Sequence, residues 1–157
     1  LNNARSRIWI TTPYFIPDPA ISAALRSAVF RGVDVRILLP ARGDHLLVDL
    51  ASRSFYPDLL RSGVRIVQYS GATLHAKTVV LDDDQMIVGS ANMDIRSFRL
   101  NFEVSCFVKC RELTGQLASL FERDLGKSRE IFLADVEQTS YVRRLSEAVA
   151  HLLSPLL

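Results

Sequence analysis

Cysteine, histidine and long apolar runs are all scarce in this chain, and each shortage removes a class of function. Cys106 and Cys110 are the only cysteines among 157 residues. Four apart, they match neither a CxxC spacing nor a disulfide framework, so neither zinc nor a redox pair is expected, and a reduced, cytoplasm-facing compartment is. No uninterrupted apolar stretch reaches the roughly 18–20 residues that a membrane-spanning helix needs, and no secretory leader opens the chain. One sign of charge is not in excess either. With 19 Lys and Arg against 17 Asp and Glu, the formal net charge is +2, and no basic run advertises nucleic acid. A pI near 8.7 leans only weakly toward anionic partners. Internal repeats and low-complexity segments are absent.

What is present is a folded composition, 48% hydrophobic and 23% charged, and at 157 residues enough chain for one domain with a real core. The first residue is Leu1, and "LNNARSRIWI" runs almost at once into a strand pattern, which reads as a cut inside a longer protein. The pattern predicts strands over 7–15, 33–40, 64–69, 75–81, 85–89 and 100–109. Helices are predicted from Asp18 as N-cap with Pro19 at the first position, over 45–62 with a break near Pro57, over 111–126 and over 135–153. "DDDQ" is a tight turn between two strands; it lacks the alternating spacing and distal Glu of a calcium loop. Two βαβ units followed by hairpins predict an α/β fold, a mixed β-sheet with helices on both faces. Residues 1–157 form a single domain, with about 7–133 as core and 134–157 as a C-terminal helix. In that helix Leu145, Ala148, Val149, Leu152, Leu153 and Leu156 make an apolar stripe. Packing on its own domain is the simpler expectation for the stripe, and contact with a membrane surface the other.

"LHAKTVVLDDDQMIVGSAN" (74–92) carries the chemistry. Side chains alternate along a strand, so His75 and Lys77 share a face, and a phosphate approaching it meets an imidazole and an ammonium together. Burying that pair without partners would cost several kcal/mol, roughly 2–7 for even a neutral polar group, so the pair calls for an anionic ligand. On "RLNFEVSCFVKC", Asn101, Glu103 and Ser105 form a polar face, while Phe102, Val104, Cys106, Val108 and Cys110 form a core face. If that polar face neighbours the His75 strand, Glu103 can accept a hydrogen bond from one imidazole nitrogen of His75, leaving the other free. Gly89, Ser90 and Asn92 follow a strand end, where a loop without a bulky first residue can approach an oxyanion. A lone His-x-Lys is ordinary surface chemistry. HxKxxxxD followed after six residues by GSxN is not, because six specified residue types at fixed spacing rarely coincide. His45 and His151 have no such partners and are expected at the surface.

With these residues the sequence resembles the HKD, or phospholipase D, superfamily. Within it, "TPYFIPD", "RGVDVRILLP", "DHLLVDLASRSFYPDLLRSGVRI", "DIRSFRLNFE" and the closing "LLSPLL" are similar to the C-terminal half of the bacterial cardiolipin synthases. The resemblance implies transphosphatidylation through a phosphohistidine, using two histidines from two HKD motifs and no metal or cofactor. It implies His75, Lys77 and Asp82 as the catalytic motif, with Asp82, on the opposite strand parity from His75, in a supporting structural role. Lys77, Ser90 and Asn92 would bind the substrate phosphate, and Glu103 would orient His75. The implied partners are a phospholipid (phosphatidylglycerol), a membrane surface and a second HKD half, whether an N-terminal region or a homodimer partner, with no nucleic acid. The implied location is the cytoplasmic face of the bacterial cell membrane. A single-motif phosphodiesterase or nuclease that completes its site as a homodimer is the alternative, and a non-catalytic remnant a third reading.

Overall fold

Ile8, Trp9 and Ile10 are all buried, because the strand they form is covered on both faces. The computed structural model describes residues 1–153. In chain order the elements are β1 (Arg7–Thr11), β2 (Phe15–Ile16), α1 (Pro19–Phe30), β3 (Asp34–Pro40), α2 (Leu46–Ser54), α3 (Tyr56–Arg61), β4 (Arg65–Tyr69), β5 (Thr78–Leu81), β6 (Gln85–Gly89), β7 (Met93–Asp94), α4 (Ile95–Arg99), β8 (Ser105–Lys109), α5 (Arg111–Leu125), β9 (Ser128–Ile131), α6 (Leu133–Glu137) and α7 (Tyr141–Leu153). Seven strands form one sheet in the order β8-β6-β5-β1-β3-β4-β9, and β2 pairs with β7 separately. The central β1, β3 and β4 are parallel, as their βαβ connections require, and the flanking strands are antiparallel. This is the expected mixed sheet. Ile8, Ile10, Val35 and Ile37 pack with Leu25 and Ala28 of α1 and Leu59 of α3. On the other face Trp9, Leu38, Val67 and Val80 pack with Ala118 and Phe121 of α5, where the Trp9 and Phe121 rings stack with centroids 5.1 Å apart.

Local signals account for several boundaries. Asp18 caps α1 by accepting from the Ile21 N–H at 2.8 Å, and the helix between 45 and 62 does break ahead of Pro57, into α2 and α3. Other expectations need correction. The strand predicted from residue 75 begins only at Thr78: Thr78 lies opposite Thr11, the last residue of β1, so on that side the residues before it have no partner, and on the other side only the Gly89 N–H reaches back, to the Lys77 oxygen at 3.2 Å. Residues 7–15 divide into β1 and β2, and 100–109 shortens to β8. Most of the predicted core face of that segment is open, because it lies at the sheet edge with β8: Phe102 is 107% accessible and Val104 and Cys106 are exposed, whereas Val108 and Cys110 are half-buried. The helix over 135–153 divides into α6 and α7, with Ser140 offering both its backbone oxygen and its hydroxyl at the new start. The stripe on α7 does not pack on its own domain. Glu147 and Ala150 are buried, whereas Leu145, Val149 and Leu152 face outward. Leu156 and the end of "LLSPLL" lie outside the described residues.

Candidate active site

Strand direction gathers the motif. β5 runs antiparallel to β1, so its first residue stands at the C-terminal edge of the parallel strands, the edge where open α/β sheets bind ligands. His75, Ala76 and Lys77 immediately precede it. β6 ends at the same edge, Gly89 opposite Ser105, which brings Ser90, Asn92 and Glu103 there too. The β2–β7 pairing, Phe15 opposite Met93 and Ile16 opposite Asp94, ties the "TPYFI" segment to the loop after Gly89. Thr12 adds a second tie, its Oγ1 accepting from the Met93 N–H at 3.2 Å.

His75 is exposed and Lys77 half-buried. The Lys77 ammonium donates to the His75 carbonyl oxygen at 2.8 Å. Burial pushes the Lys77 ammonium below its ordinary pKa, and the negative charges of Glu103 and Asp94 pull the other way. Asn92 donates its backbone N–H to Ser97 Oγ at 3.1 Å. Its side-chain Oδ1 is buried with no hydrogen-bond partner. Behind this loop, Ser90 Oγ donates to Glu103 Oε2 in a short contact and accepts from the Val104 N–H at 3.0 Å. Glu103 also accepts from Ser97 Oγ at 3.4 Å and Asn101 Nδ2 at 3.3 Å. The Ser90 bond, more than any other influence, holds its carboxyl below the usual carboxylate range.

Two expected roles are corrected by these contacts. The hydrogen bonds of Glu103 go to Ser90, Ser97 and Asn101, not to His75, so it braces the loop rather than orienting the imidazole. Asp82 does not sit with the other motif residues. It follows the far end of β5, seven residues of extended chain from His75 at about 3.3 Å each, and its carboxylate accepts from the N–H groups of Arg5, Ser6 and Arg7 at 2.9, 2.7 and 3.2 Å. That is a structural role, and no part of the reacting group. The hydroxyl of Ser90, expected on the phosphate, is engaged with Glu103 and Val104.

Sequence reasoning missed Asp94 and Ser97. Asp94, buried, caps α4 by accepting from the Ser97 N–H at 2.7 Å; an Asp followed three residues later by Ser was the available signal. It also missed Tyr14 and Asp44, which line a cavity that reaches His75. Among the described residues no three His, Cys, Asp or Glu side chains gather as a metal site. The arrangement can hold an anionic tetrahedral group against an imidazole, with one cation and one amide beside it.

Comparison with known proteins agrees with this geometry. The family model described as "Cardiolipin synthase, PLD-like domain" matches residues 1–125. Cardiolipin synthase A of Pseudomonas putida is 46% identical over 157 residues, covering 100% of this chain and 33% of that protein. The same protein of Pseudomonas syringae pv. syringae is 45% identical with the same coverage. This chain thus spans about a third of the length of the curated relatives it matches. Among solved structures, Nuc from Salmonella typhimurium, a phospholipase D family member, superposes with a TM-score of 0.72 at 22% identity, covering 83% of this chain and 85% of that one. Phosphatidylserine synthase from Haemophilus influenzae gives 0.79 at 14% identity, covering 99% of this chain and 42% of that one. The chain belongs to the cardiolipin synthase, PLD-like domain family.

Proposed function

We propose that this chain supplies one half of a two-histidine phosphatidyl-transfer site that makes cardiolipin from phosphatidylglycerol. The observation that carries this reading is the convergence of His75, Lys77 and Asn92 on one sheet edge. In the first step one imidazole nitrogen attacks the phosphorus of phosphatidylglycerol. An N–P bond forms, the P–O bond to glycerol breaks, and the departing oxygen takes a proton from the second histidine. In the second step a hydroxyl of another phosphatidylglycerol attacks the phosphohistidine and gives its proton to that second histidine. The P–N bond breaks with its electron pair returning to the ring. Lys77 and Asn92 hold non-bridging oxygens as negative charge builds on them. Ser90, Ser97 and Glu103 brace the loop that carries Asn92. His75 is assigned the acid–base part, with the attacking histidine supplied by the second half.

Phe98, Leu100, Phe102 and Val104 are exposed beside Glu103, and an apolar rim around half a site favours a second half docking there. No helix among the described residues is long and apolar enough to cross a membrane. The outward stripe of α7 supports surface contact with lipid, at the cytoplasmic face of a bacterial membrane. The alternative, a homodimeric phosphodiesterase, draws support from Nuc, of which this fold covers 85%. Offering the complete chain phosphatidylglycerol and, separately, a nucleotide diester tests the two. Cardiolipin formation with an acid-labile phosphohistidine supports the transferase. Cleavage of the nucleotide diester with no cardiolipin overturns it in favour of the alternative.

A further inference from the structure

The phosphate-facing groups occupy one side of His75, and the other side opens into space. A cavity of about 590 Å³ lies past the C-terminal ends of β1, β3 and β4, and its wall includes His75, Tyr14, Arg42 and Asp44 but neither Lys77 nor Asn92. The floor is built by a pair that the reaction described above does not use. The Tyr14 hydroxyl donates to both carboxylate oxygens of Asp44, at 2.8 and 2.7 Å. That hydrogen bond holds the Asp44 carboxyl below its ordinary pKa, with nearby His45 and His75 adding in the same direction. Burial, reinforced by Asp44, pushes the Tyr14 phenol up to about 12. At neutral pH the pair is therefore a fixed phenol donor on a fixed carboxylate.

A carboxylate has roughly four lone-pair sites, and Tyr14 occupies one on each oxygen. Those left over are acceptors only, on the wall of an open cavity. A phosphate would be repelled by that charge, whereas a polyol would satisfy it, since neighbouring hydroxyls are donors at a spacing one carboxylate can span. His45 stands beside the pair, its Nε2 3.9 Å from Asp44, and does not close the space. Arg42, exposed on the same wall, adds a cation suited to an anion carried by the same ligand.

We propose that this cavity is the subsite for the alcohol partner of the transfer, a glycerol headgroup whose non-attacking hydroxyl donates to Asp44. When the alcohol is itself a phospholipid, its own phosphodiester lies toward Arg42. The inference rests on the transferase reading and deepens it. The attacking hydroxyl forms the new P–O bond and passes its proton to His75 at the cavity wall, as the P–N bond to the other histidine breaks. Asp44 and Tyr14 are then specificity residues for the alcohol, not participants in phosphoryl chemistry.

The test uses the complete chain, in wild-type form and as Asp44→Asn, with phosphatidylglycerol as donor. Incorporation of labelled glycerol and of labelled ethanol into lipid is measured in parallel. Ethanol has one hydroxyl and cannot use the pair as a diol does. The ratio of kcat/KM for glycerol over ethanol falls at least tenfold in Asp44→Asn, through a higher KM for glycerol, and Tyr14→Phe moves the ratio in the same direction. An unchanged ratio, with both alcohols reduced equally or neither reduced, overturns the subsite. If the wild type moves neither alcohol into lipid, the transferase reading fails by itself. The subsite is then decided by calorimetric titration with glycerophosphoglycerol. Binding to wild type that is lost in Asp44→Asn supports it, and no binding, or equal binding to both, overturns it.

Discussion

Gly89 faces Val104 so closely that a Cβ on Gly89 would strike the Val104 carbonyl oxygen and stand 2.8 Å from Ser105 Cα. This glycine lets the end of β6 and the start of β8 close on each other. There the Ser90 N–H donates to the Val104 oxygen at 2.9 Å, and Ser90 Oγ accepts from the Val104 N–H.

Gly89→Ala therefore overpacks a backbone contact that no rotamer change relieves. The expected cost is about 1–3 kcal/mol. Displacement of residues 103–105 also parts Glu103 from Ser90, so turnover falls in whatever fraction of the protein remains folded. Thermal melting and the rate per folded molecule check both. A variant with wild-type stability and rate would show that the strands separate without consequence.

Asp82 provides a stability prediction with a definite pH sign. Burial raises its pKa, but the N–H groups of Ser6, Arg5 and Arg7 together hold it below the ordinary value. A depressed folded-state pKa gives stability that is present above the unfolded value, about 3.9, and lost as pH falls through the folded one. Asp82→Ala is expected to cost about 2 kcal/mol near neutrality, from lost charge-assisted hydrogen bonds and from placing alanine at a φ of 53°. Asp82→Asn, which tolerates that φ, costs less. The gap between wild type and Asp82→Asn narrows below about pH 4. Denaturant midpoints measured across pH check it, and a gap that widens in acid would refute the assignment.

The sheet was legible because its period-2 apolar runs coincide with turn signals, and the motif because its six residues stand at fixed spacing. The failures have physical causes. Phe102, Val104 and Phe107 carry the composition of a core strand, yet local pattern cannot report that β8 lies at a sheet edge with an open side. The stripe on α7 misled for the related reason that Glu147 and Ala150, not the leucines, face α2; the Glu147 carboxylate is 3.4 Å from Arg143 Nε. Alternation along an imagined strand placed Glu103 beside His75, but residues 100–104 are not a strand, so the parity argument had nothing to act on. Tyr14 and Asp44 are 30 residues apart and meet only through β1 and β3 being neighbours. That adjacency is a property of topology, invisible to motif spacing.

His75→Ala is expected to abolish phosphatidyl transfer while leaving the melting temperature within about 2 °C of wild type, since an exposed side chain contributes within about 0.5 kcal/mol. His151→Ala makes the contrast. That ring lies 4.8 Å from the Phe55 ring and its Nδ1 is 2.9 Å from Ser54 Oγ, so its loss costs about 1 kcal/mol and leaves the rate per folded molecule alone. Calorimetry paired with cardiolipin assays distinguishes them. An unfolded His75→Ala variant would make this a packing histidine.

Glu103→Gln tests the electrostatics around Lys77. The Glu103 charge raises the Lys77 pKa against the depression caused by burial. Removing that charge leaves the depression less opposed, so Lys77 loses its proton at lower pH than in the wild type. If the cation is needed on the phosphate, the alkaline limb of the kcat/KM profile moves to lower pH, and the rate near neutrality falls more than stability does. A profile that keeps its alkaline limb would separate Glu103 from Lys77 in function.

The most exposed prediction concerns completeness. Transfer through a phosphohistidine needs one imidazole to attack and another to manage the proton of the alcohol, and the described residues bring only His75 to the phosphate-facing edge. His45 is engaged near Asp44, His151 is packed on Phe55, and neither has a lysine two residues on, since Leu47 and Leu153 stand there. General acid–base assistance is worth about 100- to 10,000-fold, and without a nucleophile as well the loss is larger still. The 157-residue chain held as a strict monomer should therefore form cardiolipin at least about 100-fold more slowly than a preparation in which a second motif is present, whether from further chain or from a symmetric partner. Light scattering run on the assayed sample fixes its mass while phosphatidylglycerol transfer fixes its rate. A monomer working at the full rate would mean that a single imidazole does both jobs, and the two-histidine mechanism would have to be abandoned for this chain.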